Sequence, residues 1–281
     1  RISPEPVISL DGDAAGQKAA MKAYFEWMPV RATNPSEQGH LYRSLTFGDL
    51  VELTMMDLRT YRDEQVRFGP RKMAAEGRTM LGSEQYNWLL NKIETSSAKW
   101  NMLGNSVMFS PMNLATLQQD DKTKPVSSSL SSNITGIPVN GDQWDGYSAE
   151  RRLLIDALSK HDSHALFVTG DIHSEWAHNI SKDGRIFGAE MVCASVSAPN
   201  VNEQLKLPEG NELSKLAERY LMGANPHTRH VDLDHHGYSY VTVRPDSAEM
   251  HWLRVDNLLT AKSPVREAVT MTWRPGEGYS K

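Results

Sequence analysis

The chain has 281 residues, 39% hydrophobic and 23% charged, with a formal net charge of -5. That length holds one large domain or two small ones, and the composition is that of a globular protein. The acidic balance excludes general nucleic-acid binding, no apolar run reaches the length of a membrane span, and the single cysteine, Cys193, excludes a disulfide framework and a Cys-rich zinc site.

Residues 1–10 read as the tail of something preceding. Arg1-Ile2-Ser3-Pro4 has neither Met nor a charged-then-apolar leader, so the true start is expected to have been lost by processing or truncation. Asp11-Gly12-Asp13 can cap a helix whose Met21, Tyr24, Phe25 and Met28 share an apolar face expected to pack on a core, with Pro29 ending it. After a polar loop over 31–40, Leu41 to Phe47 and Leu50 to Met56 read as two strands joined at Gly48-Asp49.

The second strand runs into Asp57-Leu58-Arg59-Thr60-Tyr61-Arg62-Asp63. Arg59 and Arg62 can form a fork for phosphate oxygens. An ion-pair network confined to Asp57, Arg59, Arg62 and Asp63 is the more ordinary arrangement. Ser83 is expected to cap a helix that buries Tyr86, Leu89, Leu90 and Ile93. Trp100 to Leu103 is a strand, and Ser106 to Phe109 is a candidate for another. Asn105 lies between them, as a turn residue or as a polar group aimed at a site.

Residues 115–142 have no periodicity and read as a long surface loop or lid, with Asn133-Ile134-Thr135 matching a glycosylation acceptor. Ser148 is expected to cap a helix with Leu153, Leu154, Ala157 and Leu158 on its apolar face. That helix feeds the stretch around which the chain is organised, Ala165 to Trp176. Ala165 to Val168 has the pattern of a strand buried on both faces, as in an α/β sheet. It stops at Gly170, and Asp171-Ile172-His173 follows, where ligands bind beyond strand ends. Kept extended, that tripeptide puts a carboxylate and an imidazole on one side, half of a transition-metal site. A turn-capping Asp171 and an exposed His173 are the ordinary alternative.

Strands are expected at Trp176–Ile180 and Glu190–Ser197 around an Asp183-Gly184 turn, with Cys193 packed rather than reactive. A short helix, Glu212 to Met222, follows, with Leu213, Leu216, Ala217 and Tyr220 on one side. Between Asn225 and Tyr238 lie four histidines and two aspartates. They read as an exposed loop from which one or two side chains reach a site. Tyr238–Val243 and Glu249–Val255 form a hairpin, and the tail 260–281 reads as weakly structured with one edge strand, Ala268 to Trp273.

Several of these stretches agree in order with one family. Tyr24 to Arg31, Tyr42 to Asp49, Asp57 to Asp63, Leu81 to Leu89, Trp144-Asp145-Gly146-Tyr147, Thr169 to Ser174 and His236-Gly237-Tyr238 make the chain resemble the PhoD-like alkaline phosphatase/phosphodiesterase family. The resemblance covers nearly the whole chain. It implies an α/β fold, a four-layer αββα metallophosphatase-like sandwich of two mixed sheets flanked by helices. It also implies hydrolysis of phosphate mono- or diesters with calcium and iron (Ca2+ and Fe3+), and export to the periplasm or exterior.

Asp171 and His173 match the family's Gly-Asp-x-His metal motif, and His236 is a further metal candidate. Arg59, Arg62 and Asn105 are the catalytic candidates. The family's upstream Gly-Asp-x-x-Tyr and Trp-Asp-Asp-His-Glu motifs, which supply other ligands, do not occur here. Residues 1–281 are therefore expected to be the C-terminal part of a single catalytic domain. The alternatives are a phospholipase D-like diesterase on the same scaffold and an inactive fragment lacking upstream ligands.

Overall fold

The computed structural model describes residues 14–31, 39–66, 69–116, 136–138 and 140–280. The Asp11-Gly12-Asp13 cap, the Asn133-Ile134-Thr135 acceptor and most of the 115–142 loop lie outside them. The ends of that loop pair as two short strands, β4 (Asn113–Thr116) and β5 (Gly136–Pro138).

The fold is a mixed α/β arrangement built on a seven-stranded sheet of order β1-β2-β3-β6-β8-β7-β9. Its strands are β1 (Arg43–Phe47), β2 (Val51–Met55), β3 (Trp100–Asn105), β6 (His164–Thr169), β7 (Glu175–Lys182), β8 (Arg185–Val192) and β9 (Thr228–Asp232). The central four, β2, β3, β6 and β8, are parallel, so their C-terminal ends share one edge of the sheet. Ala165, Leu166 and Phe167 of β6 are buried, as a strand covered on both faces requires. The β7–β8 hairpin turns at Asp183 and Gly184, both at positive φ (51° and 80°), which matches the right-handed twist of the strands.

On one face lie α3 (Gly82–Thr95) and α4 (Ser148–Ser159), whose Leu89, Ile93, Leu154 and Leu158 pack with Leu103, Phe109, Trp144 and Phe167. Against the other face packs a four-stranded antiparallel sheet of β10 (Gly237–Arg244), β11 (Ser247–Val255), β12 (Val265–Arg274) and β13 (Gly278–Ser280). Trp252 and Trp273 of that sheet meet Trp100, Leu166 and Ala189 of the large one. The second sheet is antiparallel rather than mixed because each strand pairs with the next in sequence, which needs no crossover.

Several expectations are corrected. The tail 260–281 is not weakly structured: β12 pairs on both sides, and Met271 and Trp273 anchor it in the core. The stretch Ser106 to Phe109 is not a strand. The first helix, α1 (Ala14–Trp27), forms, but Tyr24 and Met28 are exposed, because periodicity sets which face is apolar and not what covers it. Ser83 lies inside α3 rather than capping it; the carboxylate of Glu150 accepts the Met80 and Leu81 N–H groups at 2.6 and 3.2 Å. Ser148 is likewise the first residue of α4, following a single 3-10 turn, Trp144–Tyr147. The late histidine-rich stretch contains β9, whose His230 faces Glu175 of β7. Two shorter helices are α2 (Pro70–Met73) and α5 (Val201–Gln204). The last, α6 (Glu212–Ala224), keeps Leu213, Leu216 and Tyr220 exposed.

Candidate active site

The parallel strand ends bring the early and middle parts of the chain together. β2 delivers Asp57, Arg59 and Arg62; β3 ends on Asn105; β6 ends on Thr169 and leads to Asp171 and His173. Asp57 accepts the Arg59 and Thr60 backbone N–H groups, each at 3.0 Å, which turns the chain sharply and aims Arg59 along the sheet edge.

The arginines do form a fork, and its occupant is a residue the sequence did not single out. Arg59 donates one terminal nitrogen to both carboxylate oxygens of Asp142, at 3.0 and 2.9 Å. Arg62 donates to Asp142 Oδ1 at 2.7 Å and to its backbone carbonyl at 3.2 Å. The second terminal nitrogen of Arg59 lies 3.5 Å from Asp171 Oδ1. The network within Asp57–Asp63 is thus not the arrangement adopted: the two guanidinium groups reach across 83 and 80 positions of sequence. Burial alone would raise the Asp142 carboxyl, but the charge and hydrogen bonds of Arg59, with those of Arg62, outweigh it and hold it below the ordinary carboxylate range.

Asp171 and His173 are not extended. Both adopt positive φ, 74° and 55°, and the Ile172 N–H turns back to the Gly170 carbonyl at 3.0 Å. Two non-glycine residues in the left-handed region, two apart, mark a locally strained loop of the kind found at functional sites. His173 Nδ1 lies 3.1 Å from the Pro199 carbonyl. A carbonyl only accepts, so Nδ1 carries a proton, which makes Nε2 the ring atom available to ligate a metal. The chemistry of this pair fits a metal: one carboxylate oxygen and one neutral imidazole nitrogen, the latter oriented by a backbone acceptor.

Asn105 sits beneath this loop with its amide fully engaged. It donates to the Val107 carbonyl at 2.5 Å and to Thr169 Oγ1 at 3.0 Å, and it accepts from Trp144 Nε1 at 3.0 Å. Thr169 in turn donates to Glu190 Oε1 at 2.8 Å. Glu190 is wholly buried and also accepts the Phe109 and Ser110 N–H groups, each at 2.7 Å. Burial pushes the Glu190 carboxyl up against these hydrogen bonds. Asn105 therefore ties the ends of β3 and β6 to the Trp144 turn.

His236, just before β10, is buried. Its ring nitrogens face the Ser195 carbonyl at 3.2 Å and Glu203 Oε2 at 3.0 Å. Glu203 lies on the same segment as Pro199, whose carbonyl faces His173. Among the described residues no group of three or more His, Cys, Asp or Glu side chains is arranged to hold a metal ion. The sequence reading missed Asp142, Thr169 and Glu190. Asp142 had one signal, its place two residues before Trp144-Asp145-Gly146-Tyr147; a buried mid-strand Glu190 had none.

Comparison with known proteins gives consistent results. The sequence profile of the PhoD-like phosphatase family matches residues 11–252. The chain is 32% identical over 258 residues to alkaline phosphatase D of Bacillus subtilis (strain 168), a match over 86% of this chain and 39% of that protein. It also matches a solved structure described as that of PhoD, with a TM-score of 0.74 and 25% identity, over 94% of this chain and 48% of that one. The chain spans less than half the length of these two relatives.

Proposed function

The chain belongs to the PhoD-like phosphatase family, and from that premise we propose that it carries part of a metal-dependent centre that hydrolyses phosphate esters. The observation that supports this most directly is the meeting of Arg59, Arg62 and Asp171 at the C-terminal edge of the parallel strands, with His173 two residues on. A phosphate ester is anionic, and its hydrolysis gathers charge on the attacking, leaving and non-bridging oxygens.

Asp171 and His173 are the residues that would hold metal, through a carboxylate oxygen and through Nε2. Bound ions, Ca2+ and Fe3+ on the family's pattern, supply Lewis-acid polarisation and a water of lowered pKa. Pro199 fixes the tautomer of His173 by accepting from Nδ1. Arg59, spanning Asp142 and Asp171, places a delocalised positive charge where non-bridging oxygens gather. Asn105 acts by positioning, since its amide is spent on holding strand ends together. His236 braces the loop that carries Pro199 and is the weaker ligand candidate, because ligation would displace Glu203 or the Ser195 carbonyl.

Substrates are phosphate mono- or diesters, and export to the periplasm or exterior is part of the same proposal. A phospholipase D-like diesterase would use the same groups. Among the described residues no helix is long and apolar enough to cross a membrane.

The test is hydrolysis of p-nitrophenyl phosphate and bis-p-nitrophenyl phosphate by protein loaded with calcium and iron, with bound metal measured in parallel. Turnover that falls together with metal content in His173→Ala is expected. Metal content and turnover both unchanged in that variant would remove His173 from the centre, and no turnover of either ester by the unaltered protein would defeat the hydrolase reading.

A further inference from the structure

The residue inside the arginine fork is itself anionic, and its setting is built rather than incidental. Gly141 packs so closely that a Cβ there would lie 2.1 Å from the Val66 carbonyl, and a Cβ on Gly146 would lie 2.1 Å from the Gly141 carbonyl. The Asp142 N–H is held by Asn140 Oδ1 at 2.9 Å, and Arg78 Nε donates to the Gly146 carbonyl at 3.1 Å. The turn therefore delivers the Asp142 carboxylate to one place. Arg62 is nearly buried there, with 7% of its side chain exposed, while Arg59 and Asp142 keep 40% and 24%. One guanidinium anchors the carboxylate, and the other meets it where solvent and ligand can reach.

Two guanidinium charges thus face two carboxylate charges, those of Asp142 and Asp171. Asp142 offsets one of the two arginine charges, so an arriving phosphate meets a fork of reduced positive charge. Coulomb interaction scales with the product of charges, so a fixed negative charge repels a phosphate dianion twice as strongly as a monoanion at the same distance. The arginine hydrogen-bond geometry suits both ligands equally.

Resting on the hydrolase reading above, we propose that Asp142 is a charge-discriminating residue, a fixed counter-anion in the Arg59/Arg62 fork. It weakens the hold on doubly charged phosphate groups, monoesters and inorganic phosphate, relative to singly charged diesters. It also limits retention of a dianionic product.

The experiment compares the metal-loaded protein with Asp142→Asn at pH 8, where p-nitrophenyl phosphate is a dianion and bis-p-nitrophenyl phosphate a monoanion. The readouts are the ratio of the two kcat/KM values and the affinity for inorganic phosphate by calorimetry. Removing one negative charge from the fork is expected to raise the monoester-to-diester ratio by about threefold to tenfold, and to tighten binding of doubly charged phosphate by about tenfold or more. Added salt should shrink both effects. A ratio and an affinity within twofold of the unaltered protein, or a shift toward the diester, would overturn the proposal. Failure of the unaltered protein to hydrolyse either ester would defeat the hydrolase reading alone; phosphate affinity then decides the role of Asp142. If Asp142→Asn does not fold, Asp142→Ser is read in the same way, because the smaller side chain cannot clash in the turn.

Discussion

Arg254 donates from Nε and from one terminal nitrogen to the two carboxylate oxygens of Glu175, at 3.0 and 2.7 Å, joining β11 of the small sheet to β7 of the large one. Glu175 is 1% exposed, and the same guanidinium reaches Asp232 of β9 at 2.9 Å. A bidentate pair in this position fixes how the sheets lie against each other. Glu175→Ala leaves a buried guanidinium with half its partners. A loss of about 3–5 kcal/mol in unfolding free energy is expected, read from chemical denaturation; a loss under 1 kcal/mol would show that water replaces the carboxylate.

The N-terminus of α3 depends on a carboxylate about 70 positions away. Glu150 accepts from Met80 N, Leu81 N and Thr79 Oγ1, and no residue of the helix itself provides a side-chain cap. Glu150→Ala removes one acceptor from two backbone donors and is expected to cost about 2–4 kcal/mol. Hydrogen exchange of the first turn of α3 should accelerate selectively; uniform acceleration across the protein would point to global unfolding instead.

Two buried histidines make the fold acid-sensitive. Burial pushes His178 well below its ordinary value, helped by the neighbouring His227 and His230, and pushes His227 down to about 4. Above the unfolded value near 6.5 both states are neutral and these groups contribute no pH dependence. Below it the unfolded chain binds protons that the native one refuses, so stability falls as pH drops from about 6.5 towards 4. His227→Gln should reduce that slope by up to about 1.4 kcal/mol per pH unit. An unchanged slope in melts between pH 7 and 4.5 would show that His227 protonates in the native state.

The turn carrying Asp142 tolerates no added carbon. Gly146→Ala directs a methyl into the Gly141 carbonyl at 2.1 Å, so the Asn140–Asp142 turn must move. Its ion pairs with Arg59 and Arg62 should loosen, and kcat/KM on either ester is expected to fall about tenfold or more, as small displacements at reacting centres do. Gly223→Ala, where nothing lies within 4 Å of the added carbon, is the matched control and should leave turnover unchanged. Equal turnover in both variants would show that the turn can shift without moving the arginines.

The sequence by itself determined the elements whose signals are local. The β1–β2 hairpin, the buried β6, the Asp183-Gly184 turn and the abrupt arrival of charge after β2 and β6 all follow from periodicity, β-branching and turn chemistry read over a few residues. Those signals were enough to place Arg59, Arg62 and Asp171 at strand ends, and parallel pairing then brings such ends together. The tertiary structure alone decided which groups meet. Asp142 reaches Arg59 across 83 positions, and Glu150 caps a helix it does not belong to. Both contacts depend on how distant segments pack, and an acidic residue in a polar stretch gives no local sign of its partner. Two outcomes ran against the local pattern for the same reason. Tyr24 and Met28 on the apolar face of α1 are left exposed, because amphipathicity does not specify a cover. Asp171 and His173 take the left-handed conformation rather than the extended one that the local pattern suggested, and the Pro199 carbonyl holds His173 there.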